Sequence, residues 1–377
     1  MDKQAAAQIK EYFINHKKDI LADLHELVVA ESPSNNKEYA NRCCDVLCGI
    51  VKQRLGALGK RFPQEEYGDH VLFQIGDGAR KCLLVGHYDT VWDVGAKPTV
   101  FEDNIVKGPG IFDMKYGIIS SIWSLKAVFD LQLPFDKTVY LLYNSDEEVG
   151  SLSSKPIILE YAKLCEAALI LEPSFKGGIK TERKGVGKVE INITGLASHA
   201  GSNYEAGISA IDEAAKIIAY LHSLSDLQKG TTVNVGVING GTRSNVVAAN
   251  CYLDVDFRVK TAEESDKLLE KISSIKPSRE GLSVEVKAEL NRPPFEKTPA
   301  NIALYKKLAE VASLMDIEIF EIATGGGSDG NFTSYEGVAT IDGLGAVGDG
   351  SHAVHEYVDV DKSLERTVLL CAYWVEL

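Results

Sequence analysis

Several protein classes are excluded by what this sequence lacks. No stretch approaches the roughly 18 apolar residues that a membrane span needs. The opening residues, MDKQAAAQIKEYF, lack the basic-then-apolar pattern of a secretory leader. Positive charge is in deficit. Lys and Arg number 40 against 54 Asp and Glu, a formal net charge of −14, which repels nucleic acid and anionic membrane surfaces. The seven cysteines (Cys43, Cys44, Cys48, Cys82, Cys165, Cys251 and Cys371) are odd in number and scattered, with no Cys-x-x-Cys element. They read as reduced thiols. No Walker loop, nucleophile elbow or dinucleotide fingerprint competes, and GGGSDG (325–330) lacks the Lys and helix context of a phosphate loop. The expectation is a cytoplasmic protein with neither nucleic acid nor membrane as partner.

What is present suits a globular chain. At 377 residues it exceeds the size of one ordinary core, so two domains are expected. Hydrophobic residues at 45% and charged residues at 25% are ordinary for such a chain. Apolar residues recur at helical spacing over 4–31, 38–58 and 117–130. Short apolar runs, KCLLV (81–85), TVYLLY (138–143) and AALIL (167–171), read as buried strands. Their alternation with helices indicates a mostly parallel sheet covered on both faces. After Ser174 the pattern changes. KVEINITG alternates strictly, and helix, two strands, helix and the strand SVEVKAEL follow. This α+β unit of about 110 residues is of domain size, and Pro293, Pro294 and Pro299 mark its exit. A small domain (183–293) is therefore expected inside a larger α/β domain (1–182 and 294–377).

Chemistry-bearing residues gather at strand ends, where open α/β sheets place their sites. GHYDTV (86–91) follows KCLLV and carries His87 and Asp89 two residues apart, on the same side of an extended chain. Asp113 stands in GPGIFDMKYG (108–117), where taken alone it reads as a helix N-cap. NSDEEVGS (144–151) follows TVYLLY. Its adjacent carboxylates Glu147 and Glu148 repel unless solvated or bound to a cation. Glu172, in LEPS, ends AALIL. GDGSHAVHEYVDV (348–360) adds His352 and His355. Singly each is weak. Together, two histidines and three carboxylates suffice for two divalent ions that share one carboxylate.

In this order, GHYDTV, GPGIFDMKYG, SDEEVGS, ITGLASHAG, GGTRSNVV, GGGSDG and SHAVHEYV resemble the two-zinc metallopeptidase family of glutamate carboxypeptidase, aminoacylase, acetylornithine deacetylase and succinyl-diaminopimelate desuccinylase. The likeness spans nearly the whole chain and is strongest to glutamate carboxypeptidase. It implies a zinc-peptidase-like catalytic domain with an inserted ferredoxin-like α+β domain acting as lid and dimerisation unit. It also implies a homodimer and two divalent metals per subunit, Zn before Co or Mn. Asp113 would bridge the metals, with His87 and Glu172 at one and Glu148 and His352 at the other. His352 is preferred to His355 because Glu356 stands four residues after it. Asp89 would orient His87, and Glu147 would act as general base on a metal-bridging hydroxide. The Asp113–Met114 peptide would be cis. In the inserted domain, His199 would reach a substrate oxygen, and Asn245, Arg258, Arg292 and the backbone of Gly325, Gly326 and Gly327 would bind substrate. The implied reaction is cleavage of an amide or peptide bond next to a carboxylate-bearing amino acid, with a small peptide or N-acyl amino acid as substrate. The alternatives are an N-acyl-amino-acid deacylase, a dipeptidase and, remotely, a catalytically silent metal-binding relative. His16, His25, His70 and His222 match no motif and are assigned to packing or surface.

Overall fold

A computed structural model describes residues 3–376. By contacts the chain divides into two units. The larger contains the residues up to Glu182, Lys297–Thr324 and those from Ser328 onward. The smaller contains Arg183–Glu296 together with Gly325–Gly327.

The larger unit is built on a six-stranded sheet with spatial order Lys60–Phe62, His70–Ile75, Lys137–Asn144, Arg80–His87, Ala167–Ile170, Ala339–Ile341. The last four strands run parallel, and the first two are antiparallel additions at one edge. Strand Lys137–Asn144 is buried at every residue, as expected where both faces are covered. The helix Tyr116–Asp130 is apolar nearly all round and lies almost wholly inside the unit. It meets the C-terminal helix Val360–Glu376 across a polar seam. Trp374 Nε1 donates to Ser124 Oγ at 3.0 Å, and Thr367 Oγ1 to Ser120 Oγ at 3.0 Å. These bonds satisfy polar groups that burial would otherwise strand. Helix Lys37–Leu55 begins on Asn36, whose side chain accepts from Tyr39 N. It ends at Gly56, whose φ of 68° is left-handed.

One glycine brings the site together. A Cβ on Gly117 would lie 2.1 Å from Leu171 O. Its absence lets the start of helix Tyr116–Asp130 close on the end of strand Ala167–Ile170. The loop that carries Asp113 thereby approaches Glu172.

The smaller unit is a four-stranded antiparallel sheet with spatial order Thr232–Gly240, Asn250–Val259, Gly185–Thr194, Ser283–Arg292. Helices Ala210–Ser223 and Ala262–Ser273 complete a βαββαβ succession, the ferredoxin-like arrangement. Its own core is formed by Val189, Ile191, Leu253, Val255, Phe257 and their neighbours. Gly325–Gly327 joins this unit despite its distance in sequence, because Arg183 Nη1 donates to the carbonyls of Gly326 and Gly327, both at 3.0 Å. No helix among the described residues is long and apolar enough to cross a membrane.

Candidate active site

Sheet register delivers three of the candidate segments to one edge. His87 pairs with Asn144 and Val85 with Ile170, so segments 87–91, 145–148 and 171–174 emerge side by side. The Asp113 loop arrives through a tight turn, Ile111–Lys115, whose Asp113–Met114 peptide is cis. Asp113 makes no side-chain cap to the helix that follows. The fifth segment is the loop between the short strands Gly348–Asp349 and Tyr357–Asp359, which pair with each other, the second pairing also with Ile105–Lys107, in a separate small sheet.

Asp113 lies between two histidines. Its Oδ1 is 3.3 Å from His87 Nε2 and its Oδ2 is 3.7 Å from His352 Nε2. Glu172 Oε1 stands 3.7 Å from His87 Nε2, and Glu148 Oε2 stands 2.9 Å from His352 Nε2. The sequence-derived donors thus fall into two half-sites around one carboxylate. Glu147 also reaches the cluster. His87, Glu147 and Glu172 bring one donor atom each within 4.8 Å of one another, as do His87, Asp113 and Glu148. His355 belongs to neither group.

The charges show what such a cluster wants. Burial lifts Glu148 above the usual carboxylate range, against the hydrogen bond from His352, and the negative charge of Asp113 adds to the rise. Burial would also raise Asp113, but hydrogen bonding and charge from His87, with His352 beyond, hold it down at about 2. His87 is buried, which disfavours its cation, yet Asp113 and Asp89 push it well above its ordinary value. His352 rises to about 9, chiefly through its hydrogen bond to Glu148. Protons on imidazole here balance carboxylates that lack enough cation. Divalent ions fit this donor set, because imidazole and carboxylate are ligands that zinc and its neighbours accept.

A pH dependence follows. His352 is raised from 6.5 to about 9, so the metal-free protein keeps this proton at neutral pH. A proton that is bound more tightly in the folded chain stabilises it below pH 6.5, and this gain is lost as pH rises through about 9. Metal must displace the proton, so metal affinity is expected to climb as pH rises toward about 9 and level off above it. Calorimetric titration in buffers of different ionisation enthalpy would show protons released on metal uptake at pH 7 and fewer at pH 9.5. Equal release at both would contradict this picture.

Residues behind the cluster carry roles that spacing did not reveal. Asp89, wholly buried, accepts from Ser34 Oγ at 2.7 Å and from the backbone N–H of Glu147 and Glu148 at 3.4 and 3.2 Å. Its Oδ1 is 3.5 Å from His87 Nδ1, whose nearer partner is the Asp89 carbonyl at 3.1 Å. Asp89 therefore ties the His87 segment to the Glu147–Glu148 turn as well as facing the imidazole. His70, assigned from sequence to packing or surface, is buried against the same turn. Its Nδ1 accepts from Ser145 N at 3.3 Å, and its Nε2 is 2.9 Å from Ser153 Oγ. Glu356 is wholly buried and gathers five donors: Trp92 Nε1 (2.9 Å), Lys97 Nζ (3.1 Å) and the backbone N–H groups of Gly110 (3.3 Å), Phe112 (3.0 Å) and Asp113 (3.3 Å). It locks the Asp113 turn to the His352 loop. Because such supporting hydrogen bonds set ligand geometry, Glu356→Gln is expected to weaken metal binding about 10–100-fold. Metal competition with a chromophoric chelator measures this, and unchanged affinity would refute the role.

In the smaller unit, His199 Nδ1 accepts from the backbone N–H of Gly201 and Ser202, both at 3.1 Å. That occupies Nδ1 as acceptor and leaves the proton on Nε2 in the neutral ring. Asn245 O accepts from Ala200 N at 2.9 Å, which places Asn245 beside the His199 loop. Arg258 engages Asp256 through Nε and Nη2 at 2.8–3.1 Å. Arg292 is buried at 5% exposure, with its stem against Gly327, where a Cβ would meet Arg292 Cδ at 2.6 Å. Gly325 faces open space. Arg183, buried beneath the same loop, went unremarked in the sequence because nothing local sets it apart from a strand-end Arg.

Fold and donor cluster together define a metal-dependent hydrolase. Residues 83–376 match the model of Peptidase family M20/M25/M40, and the chain belongs to that family of metallopeptidases. It is 33% identical over 319 residues to carboxypeptidase G2 of Pseudomonas sp. (strain RS-16), covering 81% of this chain and 76% of that protein. It is 28% identical over 287 residues to acetylornithine deacetylase of Proteus mirabilis, covering 69% and 73%. Among solved structures, aminopeptidase PepT of Bacillus cereus superposes with a TM-score of 0.78 at 22% identity, covering 95% of this chain and 97% of that one. The metallo-carboxypeptidase Sso-CP2 of Sulfolobus solfataricus superposes with a TM-score of 0.75 at 18% identity, covering 95% and 99%. These two share the fold.

Proposed function

We propose that the protein is a two-metal carboxypeptidase-type amidohydrolase that releases a carboxylate-bearing amino acid from a peptide or N-acyl amino acid. The observation that carries this reading is the position of Asp113, one oxygen toward His87 and the other toward His352, each histidine with its own glutamate. His87, Asp113 and Glu172 would hold one ion and Asp113, Glu148 and His352 the other. Divalent ions there, zinc foremost, would polarise the amide carbonyl and make water nucleophilic at neutral pH.

The chain's own groups supply the rest. Glu147, next to a ligand, takes the proton from the attacking water and returns it to the leaving nitrogen. His199 donates its Nε2–H to the oxygen on which negative charge develops. Arg292 grips the substrate carboxylate with a fork that matches it, while Gly325–Gly327 presents backbone N–H groups and Asn245 and Arg258 line the same side. Closure of the smaller unit as a lid would exclude water. The edge strand Thr232–Gly240 exposes Val237 and Ile238, which suits a second copy of the chain in a homodimer.

The identity to carboxypeptidase G2 favours cleavage at a C-terminal residue, the motif resemblance to glutamate carboxypeptidase favours glutamate there, and the deacetylase likeness keeps N-acyl amino acids as the second reading. Chelated protein should be assayed with and without added zinc on peptidyl glutamate, N-acyl amino acids and dipeptides. Zinc-restored cleavage that favours glutamate supports the first reading. Preference for another acyl amino acid moves the specificity, and stoichiometric zinc with no cleavage defeats both. Arg292→Met should raise KM for free-carboxylate substrates about 10–100-fold, the value of a charge-assisted bond. It should leave amide-capped analogues little changed. An equal effect on both would remove Arg292 from carboxylate recognition.

A further inference from the structure

The larger unit contains a cavity of about 490 Å³ that shares no lining residue with the metal-donor cluster. Lys176, Gly177, Phe320, Tyr357, Lys362 and Arg366 are among its walls. Arg366 is unusual. Only 5% of it is exposed, its Nη2 donates to Gly177 O, and its Nη1 is buried with no partner. It forms no ion pair with any carboxylate among the described residues, and the nearest acidic influence is its exposed neighbour Glu365. Burial lowers the guanidinium to about 10, so it stays charged at neutral pH. Anchoring a single carbonyl does not require a cation, because a neutral amide would do it without the cost of burying charge. A buried guanidinium with spare donors beside a cavity is complete once an oxyanion joins it.

The rest of the lining narrows the choice. Lys176 and Lys362 stand at the rim, and Lys362 already pairs with Asp359 at 3.4 Å. Glu318, Asp359 and Glu365 also line the cavity, so its three basic groups face three acidic ones. A polyanion would meet these acids, whereas a ligand with one carboxylate and one ammonium satisfies both signs. Phe320 and Tyr357 add apolar surface. We propose that this cavity binds a small amino-acid zwitterion, with its carboxylate on Arg366 and its ammonium toward the acidic rim.

The position gives such a ligand a route to the metal centre. Gly348 and Tyr357, both in the wall, lie on the two paired strands that flank the loop bearing His352. Lys176 and Gly177 form a tight turn, with φ of 53° and 82°, four and five residues after Glu172. Nη1 is buried and Nη2 is held by Gly177 O, so a carboxylate that engages the guanidinium moves that turn. The site itself does not depend on the proposed substrate specificity.

The test uses the full chain freed of metal, so that binding at the donor cluster is suppressed. Glycine, acetate and inorganic phosphate are titrated by calorimetry at fixed ionic strength, and hydrogen exchange is followed with glycine. The expected result is saturable glycine binding, at least tenfold weaker for acetate and for Arg366→Gln. Protection should appear in residues 175–178 and 348–366. Should Arg366→Gln fail to fold, the exchange pattern of the wild-type chain decides. Absence of saturable glycine binding, binding unchanged in Arg366→Gln, or protection confined to other segments overturns the proposal. Phosphate binding tighter than glycine overturns the zwitterion assignment.

Discussion

Glu147→Gln is expected to lower kcat by about 10²–10⁴-fold, the usual worth of a positioned general base, while the protein still takes up two metals per chain. The two halves of that result discriminate between roles. Glu147 lies within ligand distance of His87 and Glu172, so proximity alone admits it as a ligand. A ligand's loss would remove metal along with activity, whereas a base's loss would remove turnover alone. The amide keeps the shape of the side chain and its hydrogen-bonding capacity but cannot take a proton from water. Metal content by atomic emission, measured beside steady-state kinetics on the same preparation, gives the answer. If metal falls in parallel with kcat, Glu147 is a ligand and another group must move the proton.

Asp113→Ala is expected to have the opposite signature and the largest effect on metal. Removing the carboxylate that both half-sites share leaves His87 with Glu172, and Glu148 with His352, as incomplete pairs. Metal content should fall from two per chain to below one, with activity at background even in excess zinc. The variant should fold, because Asp113 makes no helix cap and contributes little to the apolar core. The imidazoles hold Asp113 down at about 2, so its charge stabilises the metal-free fold at neutral pH, and the metal-free variant should be somewhat less stable than the metal-free wild type. Retention of two tightly held metals would dismiss the bridging role. Together the two variants separate the groups that hold metal from the group that handles the proton.

Much of this was legible in the order of residues. Strand-end His87, the Glu147–Glu148 pair and Glu172 are marked by the buried runs that precede them, because the sheet buries apolar residues and ends where polar ones begin. Alternation in KVEINITG gave the smaller unit's half-covered strand, and the structure shows it alternating within Gly185–Thr194. Asp113 was less legible. A loop Asp before a helix has the local look of a cap, and only the approach permitted by Gly117 gives it two histidine neighbours.

The supporting groups were not legible at all. Ser34 meets Asp89 across 55 residues, His70 meets Ser145 across 75, and Glu356 meets Phe112 across 244. Nothing in the spacing of a Ser, a His or a Glu reports a partner so far along the chain. Gly325–Gly327 and Arg183 show the same limit, since their contact joins segments more than 140 residues apart. The sequence alone determined which donor types occur, in what order, and on which kind of element, because those follow from local periodicity and from where apolar runs stop. Tertiary structure decided which histidines flank Asp113, which buried acid braces the loops, and that Arg366 is a buried cation with an unmet donor. Those outcomes depend on register, close packing and burial, which arise only when distant segments meet.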